Sequence, residues 1–119
     1  MPRCLFLTGA TGLVGGYLLA RLAADPALDI HVLVRPNAEA SPRQRLDLLG
    51  AYFALPDLAD RVTIHAGDLT DTSLGLGPAA REGLRHRVTD VVHAAASLSF
   101  TDAGTNRLVN CDGTRRLLA

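Results

Sequence analysis

Short unbroken apolar runs alternate along this chain with longer stretches whose apolar positions recur at helical spacing. Arg3 to Thr8 carries Cys4-Leu5-Phe6-Leu7, the pattern of a strand covered on both faces. Leu13 to Ala24 follows as a helix, with Val14, Leu18 and Leu22 expected on one buried stripe and Asp25-Pro26 ending it. Ile30-His31-Val32-Leu33-Val34 is a short β-branched strand closed by Arg35-Pro36. Ser41-Pro42 offers an N-cap and a first-turn proline. The helix they open runs about three to four turns, with Leu46, Leu49, Phe53 and the neighbouring Leu48 and Tyr52 as its apolar face up to Pro56. Val62 to Ala66 is a third strand, Gly67-Asp68-Leu69 a loop, Thr70 to Pro78 irregular, and Ala79 to His86 a weak helix. Asp90 to Ala94 is a fourth strand, and Asp102 to Ala119 a further helical segment with Leu108, Val109, Leu117 and Leu118 on its apolar side.

Strict β-α alternation with crossovers of this length demands parallel strands. The expected fold is a doubly wound α/β sheet with strand order 3-2-1-4. In that order strands 1 and 4 flank the point where the winding reverses, and ligands bind outside the carboxyl ends of the strands there. The loops after all four strands fall on this edge. The first is Thr8-Gly9-Ala10-Thr11-Gly12-Leu13-Val14-Gly15, three glycines at intervals of three between a strand and a helix. Such a loop brings backbone close to a phosphate, and the N–H groups of the helix start hold the anion. The flanking strand and helix are the context that makes it a dinucleotide loop rather than an ordinary turn.

Composition narrows the partners. The chain has 119 residues, enough for one small domain with a core, and its formal net charge is zero. Nothing in that balance points to nucleic acid or an anionic membrane. All twelve basic residues are arginine; lysine is absent. Cys4 and Cys111 match no metal-ligand spacing, so no metal is expected and both read as reduced thiols of a cytoplasmic protein. The apolar run near the amino terminus is broken by Thr8, Gly9, Thr11 and Gly12, unlike a secretory signal. No run approaches the roughly 18 apolar residues that a membrane span needs.

Together, Thr8-Gly9-x-x-Gly12-x-x-Gly15, Gly67-Asp68-Leu69, His93-Ala94-Ala95-Ala96 and Asn110-x-x-Gly113-Thr114 resemble the extended short-chain dehydrogenase/reductase superfamily. Val34-Arg35, the helical insert with Arg45-Leu46, and Leu74-Gly75-Leu76 after Gly67-Asp68-Leu69 are most similar to its male-sterility-type branch. That branch contains fatty acyl-CoA reductases and the terminal thioester reductase domains of peptide and polyketide synthetases. The resemblance implies a Rossmann-type domain over residues 1–119, forming the amino-terminal half or less of a family member.

It also implies roles. Gly9, Thr11, Gly12, Leu13, Val14 and Gly15 would form the pyrophosphate loop. NAD enzymes place a carboxylate near the end of strand 2 for the ribose 2′-hydroxyl. Arg35 stands there instead and suits a 2′-phosphate, so NADP(H) is the expected cofactor. Arg45, on a polar helix face, resembles a second phosphate-clamping arginine. Asp68 and Leu69 would border the adenine, and the small Ala94, Ala95 and Ala96 the nicotinamide riboside. His93 reads as a buried structural histidine, and Asn110 resembles a supporting helix residue of the active site.

The superfamily's Tyr-x-x-x-Lys is missing, since there is no lysine and Tyr17 and Tyr52 fall on helices away from the switch point. The expectation is therefore an amino-terminal portion without turnover of its own. An uncovered edge on strand 4 would make the isolated piece poorly soluble. For the parent protein, the resemblance implies NADPH-dependent reduction of an acyl thioester, on a carrier protein or CoA, to aldehyde or alcohol. Two other readings remain open: a sugar-nucleotide epimerase/dehydratase or hydroxysteroid-dehydrogenase-like enzyme, and a non-catalytic NADP sensor.

Overall fold

The computed structural model describes residues 3–36, 39–68 and 74–94. In chain order the elements are β1 (Cys4–Thr8), α1 (Leu13–Leu22), β2 (Asp29–Val34), α2 (Pro42–Tyr52), α3 (Leu58–Arg61), β3 (Thr63–Ala66), α4 (Pro78–Arg87) and β4 (Asp90–His93). All strand pairs are parallel, and the sheet order is β3-β2-β1-β4. This is the doubly wound arrangement that the alternation of elements demands. The expected helix over Asp102 to Ala119 lies outside the described residues.

The sheet separates two unlike layers. One face carries Leu5, Leu7, Ile30, Val32 and Val34, which pack with Leu19 of α1 and its C-cap Ala23, Leu46 of α2, and Leu58 and Ala59 of α3. The other face carries Phe6 and Leu33, packed with Leu74, Leu76, Leu84 and Val88. Strand β1 is buried along its whole length, as an apolar run in a central parallel strand should be.

Several expectations about the elements need correction. On α1, Val14 is 65% exposed, and the stripe that meets the core is Gly15, Gly16, Leu19 and Ala23, with Leu18 and Leu22 half-buried. The helix lies so close to its preceding loop that only glycines fit at its first contact, which turns Val14 outward. On α2, Leu46 is fully buried, but Leu48 is 70% and Tyr52 81% exposed; both lie off the stripe that faces the sheet. The chain between α2 and β3 also folds a short extra helix, α3, whose Leu58 and Ala59 close the core beneath α2. Val62 caps that helix instead of opening the strand. At the other end of the sheet, Ala94 follows β4 rather than belonging to it.

Replacing Leu46 by Ala is therefore expected to cost about 2–5 kcal/mol, as a buried leucine with packed neighbours does. Leu48→Ala should stay within about 0.5 kcal/mol of the parent. Urea unfolding midpoints of the two variants distinguish this packing from the one read off the sequence, in which both residues are buried.

Candidate dinucleotide site

Gly9 leaves β1 with φ +76°, and the Gly12 amide donates to the Gly9 carbonyl at 3.0 Å, closing a tight turn. Gly12 is the N-cap of α1 and gives its helix no side-chain cap. The first intrahelical bond runs from the Gly16 amide to the Gly12 carbonyl, 2.8 Å. The amides of Leu13, Val14 and Gly15 thus precede the helical ladder, and no acidic residue occupies the first turn. An anion placed there meets free N–H groups and the positive end of a ten-residue helix. The helix is set so near the loop that a Cβ on Gly15 would lie 1.9 Å from the Gly9 carbonyl oxygen. At Gly12 the same atom would stand 3.4 Å away, an ordinary contact.

Helix α2 brings the second part of the site. Its start is fixed by a capping box: the Gln44 amide donates to Ser41 Oγ at 3.2 Å, and the Ser41 amide to Gln44 Oε1 at 2.8 Å. One residue on, half-buried Arg45 reaches across the carboxyl edge of the sheet. Its Nη2 donates to Thr11 Oγ1 at 2.9 Å, and its Nη1 donates to the Arg35 carbonyl. One guanidinium therefore ties the glycine loop to the chain just beyond β2. Arg35 is exposed beside this tie.

Two further loops complete the edge. The Gly67 amide donates to the Val34 carbonyl at 3.1 Å, continuing the β2–β3 pairing past the strand, and half-buried Asp68 follows. The Asp68 amide donates to the Leu74 carbonyl at 2.9 Å. Leu74 holds this position with φ +59° and is buried against Phe6 and Leu33. A non-glycine residue there costs of order 1–3 kcal/mol, against which stands the burial of its side chain. After β4 the Ala94 amide donates to the Thr8 carbonyl at 3.2 Å. His93 Nδ1 and Thr8 Oγ1 are hydrogen-bonded at 2.6 Å, and burial pushes the His93 ring below the ordinary imidazole range. The half-buried histidine is thus part of the strand pairing, in keeping with its structural reading.

The described structure brings Gly9, Thr11, Gly12, Leu13, Val14, Gly15, Arg35, Arg45, Asp68 and Ala94 to the carboxyl edge of one sheet. Leu69, Ala95, Ala96 and Asn110 lie outside the described residues. Two contributors escaped the sequence reading. The Thr11 hydroxyl, counted there only for its loop backbone, accepts from Arg45, and Leu74 anchors Asp68. Proximity of Arg45 to Thr11 depends on the angle at which α2 crosses, which no local motif encodes. Positive φ at a leucine leaves no signature in residue type.

Gly15→Ala is expected to cost about 3 kcal/mol or more, because the added methyl meets backbone that cannot rotate away. Gly12→Ala should cost about 1 kcal/mol or less. Chemical denaturation of both variants checks the contrast. Protonating the half-buried His93 favours the unfolded chain, whose imidazole titrates near 6.5. Stability should hold above about pH 6.5 and fall as the pH drops toward 5, with a shallower fall in His93→Gln. Denaturant midpoints across that window measure it.

The sequence matches the family described as male sterility protein over residues 7–119. It is 37% identical to a hybrid PKS-NRPS synthetase of Macrophomina phaseolina over 97% of this chain and 3% of that protein. Against the glycine betaine reductase of Emericella nidulans the identity is 35%, over 98% of this chain and 10% of the relative. Fatty acyl-CoA reductase 1 of Gallus gallus is 27% identical over 97% of this chain and 24% of its own length. Among solved structures, the terminal R domain of the myxalamid PKS-NRPS pathway superposes with a TM-score of 0.83 at 29% identity, over 98% of this chain and 30% of that one. The reductase domain of a nonribosomal peptide synthetase from Mycobacterium tuberculosis does so with 0.78 at 28% identity, over 99% and 30%. The chain thus spans a minor part of each of these relatives. With the family matched over residues 7–119 and the fold shared with these reductase domains, the chain belongs to the male sterility protein family of NAD-binding domains.

Proposed function

We propose that this chain is the amino-terminal, NADPH-binding part of a reductase acting on acyl thioesters carried by a carrier protein or CoA. The observation that carries the cofactor reading is Arg45, whose guanidinium joins Thr11 of the glycine loop to the Arg35 carbonyl. It concentrates positive charge at the end of β2, where a carboxylate would serve the 2′-hydroxyl of NAD. The residues fit the dinucleotide on two structural counts: the uncapped amides at the start of α1, and the close docking of α1 on the glycine loop, where a Cβ on Gly15 would meet the Gly9 carbonyl. The relatives named above, a hybrid PKS-NRPS synthetase and a fatty acyl-CoA reductase among them, support the substrate class.

When bound, the nicotinamide supplies a hydride for the thioester carbonyl. The residues of this chain bind and orient. Loop amides from Gly9 to Gly15 would hold the pyrophosphate, Arg35 and Arg45 the 2′-phosphate, and Asp68 the adenine edge. Ala94, without bulk beyond Cβ, leaves room beside β4 for the nicotinamide riboside. The proton for the carbonyl oxygen is not supplied by a Tyr-x-x-x-Lys of these residues, since the chain has no lysine. That donor belongs elsewhere in the parent protein.

In the full-length protein, NADPH should bind at least about tenfold tighter than NADH, since charge-assisted bonds contribute about 1.5–3 kcal/mol each. Arg35→Ala and Arg45→Ala should each weaken NADPH by about tenfold or more while leaving NADH within about twofold. Calorimetric titration with both nucleotides measures this. Equal affinities, or tighter NADH, would overturn the NADPH assignment.

A further inference from the structure

The polar face of the sheet carries a second cluster at the opposite end from the glycine loop. The β1–β2 register sets Cys4 against Asp29 and Phe6 against His31, so Cys4, Asp29 and His31 share one face at the amino ends of these strands. A sulfur, a carboxylate oxygen and a ring nitrogen from the three lie within 4.8 Å of one another. Cys4 is 5% exposed and His31 3%. The His31 ring is fixed from behind, with Nδ1 hydrogen-bonded to His65 Nε2 at 3.0 Å and the two rings stacked at 5.2 Å. Its Nε2 stands 3.1 Å from Asp29 Oδ1, yet it is buried and makes no hydrogen bond there. A buried, unsatisfied ring nitrogen costs about 1–3 kcal/mol and calls for a physical reason. Where His31 donates its Nδ1 proton to His65, the free Nε2 lone pair and the carboxylate face each other as two acceptors, which a cation between them reconciles.

We propose that Cys4, Asp29 and His31 are three ligands of a binding site for a zinc-class divalent cation. The donor set is sulfur, nitrogen and oxygen, which suits a borderline-soft ion. Tetrahedral bonds of about 2.0–2.3 Å separate neighbouring ligand atoms by about 3.3–3.8 Å, so the cluster closes on an ion by small side-chain movements. His65 plays the outer partner that fixes the tautomer and aim of a metal-bound imidazole. Arg87 Nη2 donates to Asp29 Oδ2 at 3.1 Å, a charge-assisted contact that favours the carboxylate. Burial and then Asp29 push the Cys4 thiol up. On binding, the thiol proton therefore passes to solvent as the metal–sulfur bond forms, and thiolate plus carboxylate balance the double positive charge. Asp29 is 40% exposed, which leaves water a path to the fourth position. The ion would tie β1 to β2 from below, the length of β1 away from the dinucleotide, so this site stands or falls independently of the cofactor reading.

Cobalt(II) is the probe, because a thiolate ligand gives it a sulfur-to-metal charge-transfer absorption. The full-length protein, stripped of metal by chelation, should take up one cobalt per chain with that absorption, and zinc should displace it. Cys4→Ser should abolish the absorption, while Cys111→Ser leaves it unchanged. Asp29→Asn and His31→Gln, which keep the shape of the buried groups, should each weaken cobalt by at least the ~10–100-fold typical of lesser changes around a bound metal. Absence of the charge-transfer band, or its survival in Cys4→Ser, would overturn the site. If Cys4→Ser does not fold, unchanged cobalt affinity in both other variants overturns it equally.

Discussion

The contact between Gly15 and the Gly9 carbonyl sets the geometry on which the rest of this domain depends. With no side chain at that point, α1 begins almost on top of the loop that leaves β1, and its unbonded amides open onto the carboxyl edge of the sheet. The same closeness continues one residue on, where a Cβ at Gly16 would meet Leu49 of α2 at 2.9 Å. Helix α2 is thereby drawn down beside α1, and its first turn arrives over the end of β2. Arg45 can then reach Thr11 and the Arg35 carbonyl together. A methyl group at position 15 would disturb helix, loop and guanidinium at once, because they share one close approach.

The two faces of the sheet do different work. The face under α1, α2 and α3 is a uniform apolar layer that fixes the register of β1 and β2. The other face mixes Phe6 and Leu33 with Cys4, Thr8, His31, His65 and His93. Hydrogen bonds there run between strands through side chains: Thr8 with His93, His31 with His65. Burial disfavours the charged form of His65 and His93, His65 also feeling the nearby His31. His65 and His93 therefore favour their neutral forms, and the face loses stability on acidification instead of gaining it.

Much of this was legible in the residues. Unbroken apolar runs marked the strands, alternation with helices forced parallel pairing, and Gly9-x-x-Gly12-x-x-Gly15 marked the tight turn on which α1 docks. The Ser41-Pro42 start of α2 was equally clear, because capping chemistry is local. What was not legible came from contacts between distant parts of the chain. Val14, Leu48 and Tyr52 are apolar and periodic, yet the close docking of α1 and the crossing of α2 turn them outward. Arg45 was marked by the family resemblance alone; its contact with Thr11 depends on where α2 crosses the sheet edge. The Cys4–Asp29–His31 cluster defies spacing rules because its members meet through strand register, not through sequence proximity.

The central claim is that the glycine loop and the Arg45 tie form one NADP site. A crystal structure of the full-length protein with NADP⁺ tests it most directly. The account predicts the pyrophosphate against the loop amides between Gly9 and Gly15, with the 2′-phosphate bonded to the guanidinium groups of Arg35 and Arg45. A dinucleotide bound away from that loop, or a 2′-phosphate turned to solvent with both arginines unengaged, would contradict it.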